Sequence, residues 1–234
     1  MVNTRREAYV DEVLAKAGLF QDVDPDAAEV VASQFEYIDV QRGQVIFHEG
    51  EPGDSLYIVL AGKVKLGRTS SDGRENLLAI LGPGQLCGEL SIFDPGPRSA
   101  TVTAVTDASF ASLSHEDLLR WLEGRPVVAR GLLTQLAGRL RKANDVVADL
   151  VFSDVPGRVA KALLDLADRF GRTADDGVHV HHDLTQEELA QLVGASRETV
   201  NKALADFASR GWLRLDGKSV IIMDPERLAR RARV

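Results

Sequence analysis

The chain has 234 residues, of which 44% are hydrophobic and 27% are charged, and its net charge is −7. These proportions exclude a disordered chain, a collagen-like fibre and a coiled-coil rod, and no apolar run reaches the ~18 residues of a membrane span. The single cysteine, Cys87, excludes an internal disulfide and cannot alone hold zinc or an iron–sulfur cluster. Because the start of the chain is charged throughout and lacks the apolar stretch of a secretory signal, we expect a cytoplasmic protein with no membrane partner.

The negative charge is unevenly distributed along the chain. Residues 1–156 carry a net charge of −8, whereas residues 157–234 carry +1 and end in the basic sequence RLARRARV. The acidity therefore belongs to the first part. The second part remains able to bind DNA if its positive side chains share one face.

The first half of the chain reads as two short helices followed by a β-rich region. We predict helices over residues 7–20 and 24–35, the second with Asp24 as its cap and Pro25 in its first turn. From about Val40 to Leu113, turns rich in glycine and proline separate short β-prone runs. These runs are VIF 45–47, LYIVL 56–60, VKL 64–66, LLAIL 77–81, TVTAV 101–105 and SFASL 109–113. The alternation predicts an all-β barrel, roll or sandwich.

A long helix follows. Ser114 and Asp117 form a predicted capping box, Pro126 interrupts the pattern, and helix-forming residues then run from Val127 to about Phe152. Apolar residues in this run are spaced alternately three and four apart: Leu133, Leu136, Leu140, Ala143, Val147 and Leu150. This a/d seam favours a partner helix, most simply that of a second copy of the chain. The alternative is that the stripe packs on the chain's own β unit.

Residues Ser153, Asp154 and Pro156 form a predicted hinge at a domain boundary. Asp154 can cap the next helix, and Pro156 is tolerated in its first turn. The helix is expected over residues 157–170 and to end at Gly171. A polar loop, 172–178, then leads to the short strand VHVHH.

The sharpest pattern lies in residues 185–208 and predicts a helix-turn-helix. Thr185 and Glu188 form a capping box for a helix that runs to Val193, and Gly194 supplies the turn. Ser196 with Thr199 opens a second helix. Its inward positions are Val200, Ala203, Leu204 and Phe207, whereas Arg197, Glu198, Asn201 and Lys202 are exposed together near its start. The alternative is an amphipathic helix pair with a solvated charged face.

The exposed side chains suit DNA recognition. Arg197 and Lys202 can each bond a guanine, and Glu198 can accept from the amino group of a cytosine. The predicted phosphate contacts come from Thr185, Gln186, Ser196 and Thr199. A β-hairpin with an Asp216-Gly217 turn follows as a wing, and Lys218 at its tip is placed to contact the DNA backbone.

A candidate binding pocket is encoded by Gly88-Glu89-Leu90-Ser91 and by Arg98-Ser99 after a Pro/Gly turn. Glycine lets backbone amides approach an anion closely, and the arginine fork matches the geometry of a phosphate. A carboxylate would repel phosphate, so Glu89 fits only if it faces a donor such as a ribose hydroxyl. Together these residues predict a sugar-phosphate ligand. A simple Glu89–Arg98 salt bridge is the alternative.

Taken in order, these motifs resemble the Crp/Fnr family of bacterial transcription regulators. The matching segments are EGEPGDSLYIVLAGKVKL, GELSIFDPGPRSAT, the long helix, DVPGRVA and LTQEELAQLVGASRETVNKALADF with its wing, over about residues 12–231. The resemblance is greatest to the cyclic-AMP receptor proteins, and it implies an α+β fold. The expected domains are a sensor with a jelly-roll-like cyclic-nucleotide-binding β-roll (1–113), a long dimerisation helix with the hinge (114–153) and a winged helix-turn-helix DNA-binding domain (154–234).

The resemblance also implies roles for individual residues. Gly88 would give its amide to the cyclic phosphate, Glu89 would hold the ribose 2′-hydroxyl and Leu90 would line the pocket, while Arg98 and Ser99 would neutralise the phosphate. In the family, two consecutive and usually hydroxyl-bearing residues of the long helix contact the adenine, one of them from the partner subunit. Here these residues are Ala143 and Asn144. The side chain of Ala143 cannot form a hydrogen bond, and this departs from the family pattern.

The expected function is that of a homodimeric regulator controlled by cyclic AMP. Its operator would be an inverted repeat with half-sites similar to TGTGA, and the resemblance implies contact with RNA polymerase. Lys202 stands where the family commonly has arginine, and it should weaken bidentate guanine recognition there. Because of Ala143, the alternatives are weak dependence on cyclic AMP, control by cyclic GMP, or control by no nucleotide. Activation and repression both remain open.

Other classes of protein fit the sequence less well. A cyclic-nucleotide-gated enzyme or channel module would need a glycine-rich kinase loop, a catalytic triad or a membrane span, and no such pattern is present. No metal site is expected, because the histidines 179, 181 and 182 are interpreted as exposed or capping residues. Haem ligation by His48 or His115 is the remaining metal alternative.

Overall fold

The computed structural model describes Val13 and residues 34–233. The helices predicted over 7–20 and 24–35 therefore lie almost wholly outside the described residues, although Val13 is helical and buried. The chain divides into two compact units: Met1–Thr69 with Leu78–Leu140, and Ser70–Leu77 with Arg141–Val234. In the described part of the chain, no helix combines the length and apolarity needed to cross a membrane.

The first part of the chain is built on two antiparallel four-stranded sheets, with strand orders β1-β8-β3-β6 and β2-β7-β4-β5. The strands are β1 (Glu36–Val40), β2 (Val45–Phe47), β3 (Ser55–Ala61), β4 (Val64–Thr69), β5 (Glu75–Leu81), β6 (Leu86–Cys87), β7 (Thr101–Ala104) and β8 (Ala108–Ser114). One core cluster draws buried side chains from both sheets, including Val59, Val64, Val102 and Phe110. The two sheets therefore pack face to face.

The other face of the first sheet is covered by helices. A second cluster joins Leu56 and Ile58 of β3 to Leu118 and Trp121 of helix α2 (His115–Leu122), and to Val128 of helix α3 (Pro126–Phe152). Because alternate residues of a strand point to opposite faces, β3 supplies both clusters and is buried on both sides.

All six predicted β runs are strands, but β1, β6 and the short helix α1 (Leu90–Phe93) were not predicted. The missed strand β1 carries Glu36 and Asp39 and lies at a sheet edge, where its pairing with β8 outweighs its polar composition. The predicted start of α2 is confirmed: the Ser114 hydroxyl accepts a hydrogen bond from the amide of Asp117 at 3.1 Å. The Asp117 carboxylate bonds the Ser114 hydroxyl and not its amide.

Helix α3 has 27 residues and leaves most of its predicted seam exposed. Its buried residues are Val128 and Leu132, whereas Leu133, Leu140 and Val147 are 65%, 64% and 62% exposed. Ala143 and Leu150 are exposed too, and Leu136 is half-buried. The alternative that the whole stripe packs on the chain's own β unit is therefore wrong.

The C-terminal part combines helices with one four-stranded sheet of order β11-β12-β10-β9. Its elements are α4 (Val155–Phe170), β9 (Gly171–Ala174), β10 (Gly177–His181), α5 (Gln186–Val193), α6 (Arg197–Ser209), β11 (Leu213–Asp216), β12 (Ser219–Ile222) and α7 (Pro225–Arg231). The predicted cap of α4 is confirmed, since Asp154 accepts from the amide of Gly157 at 2.9 Å with Pro156 in the first turn.

Two local predictions in this part are wrong. The polar loop predicted over 172–178 instead contains β9, an edge strand that pairs with β10 and whose polar side chains face outward. In the wing, Asp216 is still paired with Ser219, so the two loop residues are Gly217 and Lys218 and not Asp216-Gly217. Gly217 has φ +58°, as the first central position of this kind of hairpin turn requires.

Candidate functional site

A cavity that is open to solvent lies between the two sheets, helix α1 and helix α3. Its lining includes every residue of the predicted pocket that precedes α3: Gly88, Glu89, Leu90, Arg98 and Ser99. Phe47, Leu66, Val102 and Arg139 complete much of the wall. The cavity thus brings a cation, a carboxylate and apolar side chains to one place.

Arg98 supplies a buried positive charge to this cavity. The residue is only 4% exposed, and its Nη1 donates to the carbonyl of Gly88 at 2.9 Å and to the hydroxyl of Ser91 at 3.0 Å. Its guanidinium lies over the ring of Phe47, 4.3 Å from the centroid, while its Nε is buried and has no hydrogen-bond partner. Since these partners are neutral, the charge is held in position but left uncompensated, which suits an anionic ligand.

Glu89 faces the same cavity but pairs elsewhere. It is 2% exposed, and its Oε1 accepts a hydrogen bond from Nη1 of Arg139 at 2.5 Å, while Arg139 Nη2 also donates to the carbonyl of Leu86. The second oxygen, Oε2, is buried without a partner. The Glu89–Arg98 salt bridge considered above is therefore not formed. One oxygen of Glu89 is neutralised by Arg139, and the other remains able to accept from a hydroxyl donor.

Two residues of this site were missed by sequence reasoning. Arg139 lies among the seam residues of α3, and nothing in its spacing shows that it reaches Glu89, 50 positions earlier. Gly53 belongs to a turn, but a Cβ at this position would lie 2.2 Å from the Ser91 hydroxyl and 2.8 Å from Arg98 Nε. Gly88, with φ +83°, is crowded in the same way, because its Cβ would lie 2.5 Å from Arg98 Nη1.

Cys87 lines the cavity as an unreactive group. It is fully buried, and burial, aided by the negative charge of Glu89, raises the pKa of its thiol to about 12. The thiol is therefore neutral at physiological pH and is neither a nucleophile nor a ready metal ligand. Ala143 and Asn144 are exposed on α3, and their contact with a base stays a prediction.

The helix-turn-helix has the predicted geometry. Thr185 and Glu188 form the reciprocal capping box of α5, which ends at Gly194 in the left-handed conformation (φ 63°, ψ 48°). Ser196 caps α6 by accepting from the amide of Thr199. The predicted inward positions of α6 (Val200, Ala203, Leu204 and Phe207) are all buried. These four positions form the packed face of the helix pair, and the charged side chains at the start of α6 are left exposed.

The side chains predicted to contact bases lie together on the first turns of α6. Arg197, Glu198 and Lys202 are all exposed, whereas Asn201, which was predicted to be exposed with them, is half-buried. The amide of Glu198 itself, then the Ser196 hydroxyl and the two neighbouring cations, lower the pKa of the Glu198 carboxyl. This carboxylate is therefore ionised at neutral pH and can accept a hydrogen bond.

The residues predicted to contact phosphates differ in their exposure and in whether their side chains already form hydrogen bonds. The hydroxyls of Thr185 and Ser196 are engaged in their caps, to Glu188 and to Thr199 respectively. The Thr199 hydroxyl is engaged in the same way, because it bonds that of Ser196 at 3.0 Å. Gln186 is exposed, and Lys218 lies half-buried at the tip of the wing. All five contacts stay predictions.

Three neighbouring histidines, His179 and His181 of β10 and the residue after it, His182, each form a hydrogen bond to another residue of the chain. His179 bonds Asp176, His181 bonds Ser219, and the buried His182 accepts from the amide of Leu184. Within the described ranges, no group of three or more potential ligands is arranged to hold a metal ion.

Comparison with known proteins identifies the family. The model of the cyclic nucleotide-binding domain matches residues 37–125, and that of the Crp-like helix-turn-helix domain matches residues 157–231. A CRP-like cAMP-activated global transcriptional regulator of Mycobacterium tuberculosis (strain ATCC 25618 / H37Rv) is 59% identical, over 96% of this chain and 100% of that protein. The cyclic AMP receptor protein of Thermus thermophilus is 38% identical, over 88% of this chain and 92% of that protein.

The chain belongs to the Crp/Fnr family of transcription regulators. Solved structures of similar proteins share its fold. FixK2 from Bradyrhizobium japonicum has a TM-score of 0.75 at 25% identity and covers 84% of this chain and 96% of its own. The catabolite activator protein of Thermus thermophilus has a TM-score of 0.53 at 38% identity and covers 92% and 98%. This Crp/Fnr protein is thus a DNA-binding transcription regulator with a cyclic nucleotide-binding domain, and neither matching model describes a catalytic domain.

Proposed function

We propose that this Crp/Fnr regulator is a homodimer whose binding to DNA is controlled by cyclic AMP. The observation that carries the proposal is a pair of buried polar atoms, Arg98 Nε and Glu89 Oε2, that lack hydrogen-bond partners and belong to one cavity. The first is a charged donor and the second is an acceptor. A ligand with both an anionic group and a hydroxyl satisfies both, and a cyclic ribose phosphate has these groups side by side.

The proposed roles in the pocket follow from this chemistry. Arg98 and Ser99 would neutralise the cyclic phosphate, helped by the amide of Gly88. Glu89 would accept from the ribose 2′-hydroxyl, and Leu90 would cover the sugar. The base would extend toward Ala143 and Asn144, one from each subunit. The names of the relatives from Mycobacterium tuberculosis and Thermus thermophilus support cyclic AMP as the nucleotide.

The proposed dimer rests on the exposed seam of α3. Leucine and valine side chains spaced three and four residues apart on one helix bury little surface in a single subunit. The same stripe on a second copy would cover them in a coiled coil. The domains in this proposal are the sensor (1–113), the dimerisation helix with the hinge (114–153) and the DNA-binding domain (154–234).

For the DNA we propose an inverted-repeat operator with half-sites similar to TGTGA. Each subunit would place α6 in the major groove, with Arg197 and Lys202 contacting guanines and Glu198 a cytosine. Thr185, Gln186, Ser196, Thr199 and Lys218 would contact phosphates. The family resemblance further supports contact with RNA polymerase.

In the proposed mechanism, cyclic AMP shifts an equilibrium that exists without it. Binding between the sensor and α3 favours one arrangement of the hinge at Ser153, Asp154 and Pro156, in which both copies of α6 match the operator. The ligand can shift this equilibrium only by as much as its affinity differs between the two arrangements. The factor by which cyclic AMP tightens operator binding therefore cannot exceed the ratio of its affinities for the two arrangements.

A titration of labelled palindromic operator with and without cyclic AMP tests the proposal, with calorimetry of cyclic AMP and cyclic GMP beside it. We expect heat from cyclic AMP, and tighter operator binding when it is present. A response to cyclic GMP alone, or no response to either, would replace cyclic-AMP control by the second candidate. Ala143, which cannot bond a base through its side chain, is the observation that favours that candidate.

A further inference from the structure

Helix α7 follows the wing and has no role in the function proposed above, although its sequence is strongly basic. Asp224 caps it by accepting from the amide of Arg227, Pro225 stands in its first turn, and Leu228 is fully buried. The helix is therefore a packed part of the DNA-binding domain and not a loose tail.

The start of α7 is fixed to the C-terminal end of the recognition helix α6. The amides of Met223 and Asp224 both donate to the carbonyl of Trp212, at 2.9 and 3.1 Å. The ring of Trp212 in turn stacks on Phe207 of α6, with centroids 5.5 Å apart and planes 21° apart. A movement of α7 would therefore be passed to α6 at this end.

The end of α7 is fixed to the junction between α3 and α4. Arg231 Nη2 donates to Oδ2 of Asp154 at 2.5 Å, while Oδ1 of the same carboxylate accepts from the amide of Gly157 at 2.9 Å. This arginine is the main reason that the pKa of Asp154 is lowered. Asp154 thus caps α4 with one oxygen and anchors α7 with the other.

A second arginine joins the same junction to the other end of α6. Arg158 Nη1 donates to the carbonyl of Ser153 at 2.8 Å, and its Nε donates to the carbonyl of Val193 at 2.8 Å. Val193 ends α5, immediately before the turn that leads into α6. The recognition helix is therefore tied to the junction at both ends, by Arg158 at its start and by α7 at its finish.

We propose that Arg231 is a positioning residue for DNA recognition, which clamps α7 to the junction through Asp154 so that α6 turns with the junction as one body. The proposal rests on the proposed function, in which this junction responds to the bound nucleotide. Loss of the contact between Arg231 and Asp154 should therefore reduce the effect of the nucleotide on operator affinity. It should reduce nucleotide affinity and operator affinity themselves to a smaller extent.

The test compares Arg231→Gln with Arg230→Gln in the full-length protein. Both variants lose one positive charge on α7, but Arg230 is exposed and forms no part of the clamp. The measured quantity is the ratio of operator Kd values without and with cyclic AMP. We expect Arg231→Gln to lower this ratio about threefold or more, Arg230→Gln to leave it unchanged, and Arg231→Lys to restore most of it.

Hydrogen exchange provides a second readout that needs no ligand. The Gly157 amide bonds the carboxylate that Arg231 holds, so its exchange should speed up in Arg231→Gln and not in Arg230→Gln. Equal Kd ratios in these two variants, or equal Gly157 exchange, would overturn the clamp. If the ratio of operator Kd values without and with cyclic AMP is one in the wild-type protein, control by the nucleotide is contradicted. The exchange rate of the Gly157 amide then tests the contact between Arg231 and Asp154 by itself.

Discussion

Two oppositely charged side chains, Arg98 and Glu89, are buried on one cavity and do not pair with each other. Arg98 is held by the Gly88 carbonyl, the Ser91 hydroxyl and the Phe47 ring, whereas Glu89 is held by Arg139. Had they paired, Glu89 would neutralise the positive charge of Arg98, and the site would attract an anionic ligand less strongly. Their separation leaves a donor and an acceptor available, and the proposed ligand carries an anion and a hydroxyl that would meet both.

Replacing Arg98 tests this arrangement at the level of one side chain. Arg98→Ala removes the buried cation, and a charge-assisted contact to a ligand is worth roughly 10- to 100-fold in affinity. We expect calorimetry to show cyclic-AMP binding weakened by that factor, the operator response to be lost, and non-specific DNA binding to be retained. Arg68→Ala, which removes an exposed arginine paired with Glu49, is the control. Equal losses in both variants would contradict a specific role for Arg98.

Gly53→Ala tests the same site without changing any charge. The added Cβ would lie 2.2 Å from the Ser91 hydroxyl and 2.8 Å from Arg98 Nε, so the buried guanidinium must shift. We expect cyclic-AMP affinity to fall about tenfold or more, because a displaced donor no longer meets the phosphate. Gly96→Ala, whose nearest neighbouring atom is 3.7 Å away, is the matched control and should bind normally. Normal binding by Gly53→Ala would show that Arg98 need not be held in this position.

At the recognition helix, Arg197 carries the sharpest prediction. Arg197→Ala should cost ~1–3 kcal/mol of discrimination between the operator and a sequence with the guanine replaced, because the bidentate contact is lost. Cyclic-AMP binding should be unchanged. Arg227→Ala, an exposed arginine paired with Asp224, controls for the lost charge. Competition binding with matched and mutated operators measures the effect, and undiminished discrimination would remove Arg197 from the set that contacts bases.

Among the described elements, helix α3 carries the largest group of exposed large hydrophobic side chains. Val147→Glu places a charge in the middle of the seam, where a second α3 would have to bury it. We expect sedimentation to show a shift from dimer to monomer at micromolar concentration and a parallel loss of operator binding. Ala148→Glu introduces the same charge at an exposed position off the seam and should remain dimeric. A dimeric Val147→Glu variant would place the dimer interface elsewhere.

The sequence predicts those elements whose signals are local. The side chains of Ser114, Asp154, Thr185 and Ser196 each bond the amide three residues ahead, so these caps can be predicted from a few neighbouring positions. Strands β1 and β9 have no comparable local sequence pattern and were not predicted. Both are polar edge strands, stabilised by pairing with partners that the local sequence does not show.

The candidate site shows the same division. Gly88 to Ser91 and Arg98 stand close together in sequence and could be assigned from their chemistry. Arg139 and Gly53 lie 50 and 45 positions from the residues that they contact, so only the folded chain shows that they belong to the site. The sequence also does not show which arginine pairs with Glu89, because Arg98 and Arg139 have the same side chain.

At the scale of the whole molecule, the proposed dimer constrains the operator. Two copies of α6 that read successive major grooves on one face of DNA require half-sites about 34 Å, or one helical turn, apart. Inserting five base pairs between the half-sites turns one of them to the opposite face, and we expect specific binding to be lost. Inserting ten should restore much of it. Gel-shift titrations with the three spacings measure this, and equal binding to all three would argue for independent subunits.

Helix α3 also has a mechanical consequence. At 1.5 Å per residue it is a rod about 40 Å long, which carries Arg139 near its middle and leads directly into Ser153 at its end. A stiff rod passes on displacement, whereas a flexible one absorbs it. Two or three glycines introduced off the seam between Arg139 and Phe152 should therefore leave the binding of cyclic AMP and the binding of DNA intact. Cyclic AMP should then no longer change the affinity for the operator.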